Sequence, residues 1–169
     1  MEKMFKIFVY EEGEPPLFHY GTCKNIYSME GLFFSLMEQD KKYRTLNPDK
    51  AHVYFLPFSV VMILEHLFDP IIRDKAVMEH TIVDYVRTIS HKYPYWNRSI
   101  GVDHFMLSCH DWVNLNTNPL IDSFSGFNLN IIVYIGSECF SLVTGATGNL
   151  VCERTLLQCH PSTMQCKYF

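Results

Sequence analysis

Long apolar runs and an excess of basic residues are both missing from this sequence. No stretch approaches the ~20 consecutive apolar residues of a membrane-spanning helix, so we expect no membrane span, signal peptide or anchor in this chain. Lys and Arg total 14 against 18 Asp and Glu, which gives a formal net charge of −4. Proteins that bind nucleic acid through its phosphates need clustered Lys and Arg. The composition therefore argues against a nucleic-acid partner and favours a soluble domain.

The six cysteines would permit disulfides in a secretory lumen, but they are unevenly placed along the chain. Cys23 and Cys109 stand alone, and the other four lie between Cys139 and Cys166. The spacing of the last four exceeds the usual ligand spacing of zinc sites, which favours free thiols or a disulfide there. Around Cys109, the neighbouring His104 and His110 would point to the opposite face of a strand. We predict no metal site, and the cysteines do not identify a compartment.

The chain does contain short apolar strands separated by helical patterns. Strands are predicted at Phe5–Tyr10, His52–Leu56 and Asp103–Ser108, because these runs are rich in β-branched and aromatic residues. Helices are predicted at Ser28–Gln39 and Ile71–Tyr93, where apolar residues recur every three or four positions. Strands alternating with helices of this length predict right-handed crossovers and a parallel sheet. The expected fold class is α/β, doubly wound, with a mostly parallel sheet.

The pattern weakens after Trp112. Helical periodicity fades, Asn and Ser become frequent, and only residues 129–135 resemble a further strand. We therefore predict a lobe over residues 1–112 and a partly irregular tail over residues 113–169.

Polar and aromatic residues follow each of the three predicted strands. Glu11 and Glu12 come after the first strand, Phe58 after the second, and His110–Trp112 after the third. Because ligands of an open parallel sheet bind outside the carboxyl ends of its strands, we expect these loops to share one rim. Carboxylates, a histidine and aromatic rings on one rim are suited to holding a sugar.

Inverting transfer of a sugar requires a base that takes the acceptor hydroxyl's proton. We predict His110 and Asp111 as the catalytic residues, with Asp103 and the early glutamates as alternative bases. The predicted acceptor-binding residues are Glu11, Glu12, Phe58 and Trp112. Each of these residues also fits a structural role, facing solvent or capping a helix at a strand end. Only their convergence on one rim favours function.

Asn97, Arg98 and Ser99 form an N-glycosylation acceptor triplet. The surrounding Tyr93–Ser99 segment reads as a surface loop, so Asn97 is a predicted glycosylation site if the chain enters the secretory pathway.

Four segments carry a resemblance to a known family: Lys6–Tyr10, Asp49–Ser59, Tyr93–Ser99 and Asp103–Trp112. In this order they closely resemble the plant exostosin-like glycosyltransferases, over about residues 5–112. The resemblance implies the N-terminal Rossmann-like half of a two-lobed, GT-B type enzyme that resides in the Golgi. It also implies inverting transfer from a nucleotide sugar to a cell-wall polysaccharide or a glycoprotein.

In such families the nucleotide sugar is held mainly by the C-terminal lobe, while the N-terminal lobe shapes the acceptor side. The family pattern continues after Trp112 with Gly-Pro, where this chain has Val113 and Asn114. We therefore expect a truncated acceptor-side lobe that binds no cofactor itself and takes a glycan or glycoprotein acceptor. A complete family member is a possible partner. The alternatives are a catalytically inactive glycan-binding module and an aberrant truncated product.

Overall fold

The computed structural model describes residues 5–23, 27–71 and 76–108, together with the backbone of three further strands. The strands are β1 Ile7–Val9, β2 Arg44–Thr45, β3 Val53–Phe55, β4 His104–Ser108, β5 Asn130–Ile135, β6 Glu138–Thr144 and β7 Leu150–Arg154. The helices are α1 Ser28–Gln39, α2 Val60–Leu67, α3 Ala76–Lys92 and α4 Pro94–Ser99, with a short 3₁₀ turn at Pro48–Lys50.

All seven strands form one sheet in the order β2-β1-β3-β4-β5-β6-β7. Every neighbouring pair from β2 to β5 is parallel, whereas β6 and β7 continue the sheet as antiparallel strands. This confirms the predicted α/β fold with a mostly parallel sheet. The boundary predicted at Trp112 falls between β4 and β5 of this sheet.

Helices cover both faces of the sheet, as a doubly wound fold requires. Alternate residues of each strand point to opposite faces, which creates two separate cores. One core joins the sheet to α2, α3 and α4 and includes Tyr10, Tyr54, Leu56, Met106, Ile63, Ile82, Val86, Ile89 and Trp96. The other joins the sheet to α1 and contains Ile7, Val9, Phe55, Phe105, Leu107, Phe34 and Met37.

Two helices of the structure differ from the sequence prediction. The segment Tyr93–Ser99, predicted as a loop, contains the helix α4, which has Pro94 at its first position, where the missing proline N–H has no helical acceptor. The helix α2 was not predicted, because Val60–Leu64 is entirely apolar and therefore shows no helical period.

The strand order places a topological switch point between β1 and β3. From β1 the chain passes through α1 to β2 on one side, and β3 then pairs with the other side of β1. In doubly wound domains the ligand crevice lies outside the carboxyl ends of the strands at such a point. The loops after β1 and β3 are therefore the place to look for a site.

No helix within residues 5–23, 27–71 and 76–108 is both long and apolar enough to cross a bilayer.

Candidate functional site

The loop after β1 folds over the switch point and pairs with the loop after β3. Phe18 forms an antiparallel β-bridge with Phe58. The amide of His19 donates to the carbonyl of Pro57 at 2.7 Å, and the amide of Ser59 donates to the carbonyl of Leu17 at 3.0 Å. Backbone hydrogen bonds thus join the two loops across the switch point, where this fold class usually binds a ligand.

Glu12 fastens the same loop to the C-terminal end of α3. Its Oε1 accepts from Lys92 Nζ at 2.7 Å and also from the hydroxyl of Tyr93. Burial acts to raise the pKa of Glu12, but the hydrogen bonds from Lys92 and Tyr93 outweigh it and hold the pKa below its ordinary value. Glu12, predicted to bind the acceptor, thus already has an ionised role within the lobe.

Glu11 and Phe58, also predicted to contact an acceptor, lie in opposite environments. Glu11 is exposed. Phe58 is fully buried, with its ring 5.8 Å from the ring of Tyr85 in an edge-to-face contact. A sugar cannot stack on a ring that has no exposed surface, so Phe58 acts here as a core residue, and we do not retain it as an acceptor contact.

The predicted catalytic residues His110 and Asp111, and the predicted acceptor contact Trp112, lie outside the described residues. The strand β4, which precedes them, runs parallel to β3 and ends at Ser108, at the same edge of the sheet as the loops after β1 and β3. The roles of the three residues stay predictions.

Asn97 is exposed on α4. Ser99, the third residue of its triplet, donates its hydroxyl to Asp103 Oδ1. Its glycosylation stays a prediction, now on a helix rather than in a loop.

Asp103 and His104 belong to a buried network at the start of β4. Asp103 Oδ1 lies 2.8 Å from His104 Nδ1, and His104 Nε2 lies 2.7 Å from the hydroxyl of Tyr10. Burial lowers the pKa of His104 to about 4, although Asp103 opposes the shift. A neutral ring that donates from Nδ1 to the carboxylate accepts from Tyr10 at Nε2. Both ring nitrogens of His104 therefore form hydrogen bonds within the protein, to Asp103 and Tyr10.

The same network extends to Arg98, which anchors α4. Its guanidinium donates to Asp103 Oδ2 at 3.2 Å and to the hydroxyl of Tyr54 at 2.9 Å. Asp103, predicted as an alternative base, is thus held by Arg98, Ser99 and His104 at the amino end of β4. This is the end of the strand opposite to the rim where the other candidates lie.

Sequence analysis missed Glu30, which is fully buried at the first turn of α1. Its carboxylate accepts from the hydroxyl of Ser59 and, at 3.5 Å, from the amide of Val61 at the start of α2. The helical period of α1 gave no signal for this burial, because the contact spans 29 residues of sequence.

A close backbone contact holds the end of the loop after β1 against α1. A Cβ atom on Gly31 would lie 2.5 Å from the carbonyl oxygens of Gly21 and Thr22. The adjacent Cys23 is disulfide-bonded. The whole loop is therefore pinned at several points along its length.

These features can be set beside known proteins. The family model described as "Exostosin GT47 domain" matches residues 1–145. The chain belongs to this family.

The chain is similar to plant proteins described as probable glycosyltransferases. One from Arabidopsis thaliana is 77% identical over 113 residues, covering 66% of this chain and 24% of the relative. A second from the same plant is 60% identical over 112 residues, covering 66% of this chain and 22% of the relative. A rice protein described as a probable glucuronosyltransferase is 29% identical over 90 residues, covering 53% and 20% of the two chains. This exostosin chain thus spans about a quarter of the length of its first relatives. No solved structure matches.

Proposed function

We propose that this exostosin chain is the acceptor-side lobe of an inverting glycosyltransferase, which transfers a sugar from a nucleotide donor to a polysaccharide or a glycoprotein. Membership of the family supports the reaction class. One structural observation carries the assignment to the acceptor side: the loop after β1 closes the switch point between β1 and β3. A donor diphosphate would normally bind in the crevice at this point.

We refer to the loop after β1, residues 10–23, as the covering loop. Its outer surface is the proposed contact for the acceptor. Glu11 is exposed there, and Tyr20, farther along the same loop, is 42% exposed. A carboxylate accepts hydrogen bonds from sugar hydroxyls, and an exposed aromatic ring offers a face for a sugar ring. Glu12 supports this surface from beneath through its contact with Lys92.

His110 and Asp111 are the proposed source of the base that activates the acceptor hydroxyl, with Trp112 beside them. Their support is their place in the chain, directly beyond Ser108 at the end of β4. A histidine is the commonest general base, and its ordinary pKa suits proton transfer near neutral pH. The nucleotide sugar would be held by a second lobe, in a longer polypeptide or in a complete family member.

The Golgi lumen is the proposed compartment. The disulfide at Cys23 supports an oxidising environment, since such bonds are rare in the cytosol. The exposed position of Asn97 is compatible with a glycan on the same secretory route.

Calorimetry and a turnover assay together test the proposal. The purified chain is titrated with oligosaccharides of several plant cell-wall polysaccharides and separately with UDP-glucuronic acid, a donor suggested by the names of the rice relatives. We expect saccharide binding without nucleotide binding, and no release of UDP from the chain alone. Glu11→Gln and Tyr20→Ala should each weaken saccharide binding by roughly tenfold, the loss of one or two good contacts. Lys50→Ala, at an exposed lysine on the turn before β3, is the control.

A glycan-binding module without catalysis is the second candidate, because the exposed Glu11 and Tyr20 could hold a saccharide without any donor. Supplying the missing part of a relative in trans separates the two. Restored transfer that is lost with His110→Ala supports the enzyme lobe, whereas binding without any restored transfer supports the module.

A further inference from the structure

Glu30 is a buried carboxylate that the proposed acceptor chemistry does not use. It has no exposed surface, and an ionised carboxylate in such a place is costly unless hydrogen bonds satisfy it. Among its contacts are the hydroxyl of Ser59 and the amide of Val61, both of which direct a donor at Oε2.

The donors that hold Glu30 belong to the first turn of α2. Ser59 caps this helix, because its hydroxyl oxygen accepts from the amide of Met62 at 3.1 Å. The same hydroxyl donates its proton to Glu30 and so links the carboxylate to the helix end. Free amides and the helix dipole make a helix N-terminus favourable for a negative charge.

The contact between Glu30 and the start of α2 lies next to the switch point. Four residues separate the start of this helix from the end of β3, one of the two strands that flank the switch point. Doubly wound domains that bind nucleotides place a phosphate at a helix N-terminus in this part of the fold. In this lobe a carboxylate from α1 already lies there.

We propose that Glu30 is a built-in anion that fills the phosphate position of α2 and keeps nucleotide diphosphates out of this lobe. The inference rests on the proposed function for its biological meaning. If Glu30 occupies the phosphate position in this lobe, the nucleotide sugar has to bind to a second lobe. The anion substitution itself can be tested without any saccharide.

Anion rescue of Glu30→Ala is the direct test. This variant removes the carboxylate and leaves its donors facing a space of similar size. We expect the melting temperature of the full 169-residue chain to fall by roughly 5 °C or more, as loss of a charged hydrogen bond would cause. Sodium acetate should restore part of that loss, whereas sodium chloride at the same ionic strength should not.

Glu65→Ala is the matched control, since Glu65 is an exposed carboxylate on α2, the helix whose first turn contacts Glu30. The control and the wild-type chain should respond equally to both salts. Calorimetry with inorganic pyrophosphate should show binding to Glu30→Ala and none to the wild type. Equal responses of Glu30→Ala to acetate and chloride, or pyrophosphate binding by the wild type, would overturn the inference.

If Glu30→Ala does not fold, Glu30→Gln still tests whether a negative charge is required at this position. The glutamine has nearly the same volume but carries no charge, so the variant should melt below the wild type by several degrees. A variant as stable as the wild type would mean that charge is not required at this position. Failure of saccharide binding by the wild type would refute the proposed function and would leave the anion result unchanged.

Discussion

Individual residues in this lobe depend on contacts that are distant in sequence. His104 is the clearest example, because Tyr10, 94 residues away, accounts for one of its two hydrogen bonds. Neither residue carries a local signal for this pairing. The sequence pattern predicted that both lie on strands, but it could not predict that their side chains meet in one core.

Burial of His104 should make the fold sensitive to mild acid. Its pKa is about 4 in the folded chain against an ordinary value of about 6.5, so folding favours the neutral ring. The stabilising contribution is complete above pH 6.5 and is lost as the pH falls towards 4, to a total of about 3 kcal/mol. Denaturant unfolding measured between pH 7 and pH 4 should show this loss.

His104→Phe should flatten that pH dependence, although it also removes two hydrogen bonds and lowers stability overall. His80→Gln, at an exposed histidine on α3, is the control and should retain the wild-type slope. An unchanged slope in His104→Phe would show that other groups cause the acid sensitivity.

Gly31 should tolerate no side chain, even though alanine is the better helix former. The Cβ of Gly31→Ala would meet backbone carbonyl oxygens at 2.5 Å, and backbone cannot move aside as a flexible side chain can. We expect destabilisation by about 1–3 kcal/mol, as overpacking usually causes. Denaturant midpoints would measure it, with Gln39→Ala at the exposed end of α1 as the control. A gain in stability would contradict the close contact.

At the scale of elements, the sequence pattern predicted those helices and strands whose own residues carry a clear periodicity or strand composition. Ser28–Gln39 was predicted as a helix with the same bounds that the structure shows, because its apolar residues recur at helical spacing. The strands β1, β3, β4 and β5 also lie within the ranges predicted as strands. By contrast β6 and β7 exist through pairing with each other and with β5, which no single segment encodes.

At the candidate site too, the positions of the loops could be predicted from local sequence, but the side-chain contacts between elements could not. Sequence analysis predicted that the loops after β1 and β3 would meet at one edge, and Phe18 and Phe58 do form a bridge there. It could not predict that the meeting buries Phe58 or that Glu30 would reach the start of α2. Both outcomes depend on side-chain packing between elements.

The contact between Glu12 and Lys92 should control how firmly the covering loop is held. Lys92 is 58% exposed, so solvent screens its ion pair with Glu12 and the pair adds little to global stability. Lys92→Ala should therefore leave the melting temperature nearly unchanged but loosen the loop. Cleavage after Glu11 or Glu14 by a glutamate-specific protease should become several-fold faster, with the exposed Lys41→Ala as control. Equal cleavage rates would show that the backbone pairs alone hold the loop.

At the scale of the molecule, the lobe combines a doubly wound fold with a switch point that its own chain closes. The loop after β1 covers the crevice from outside, and Glu30 occupies the start of α2 from within. The chain belongs to the exostosin family, and the proposed function assigns this arrangement to the acceptor side of a transferase. The central claim is that this lobe belongs to the acceptor.

Nuclear magnetic resonance titration of the isotope-labelled chain tests that claim most directly. With the cell-wall oligosaccharides we predict concentration-dependent shifts at Glu11 and Tyr20 in the covering loop, and with UDP-glucuronic acid no shifts at Val61 or Met62. Saturable shifts of those two amides on addition of the nucleotide sugar, without any response of the loop to saccharide, would contradict the account.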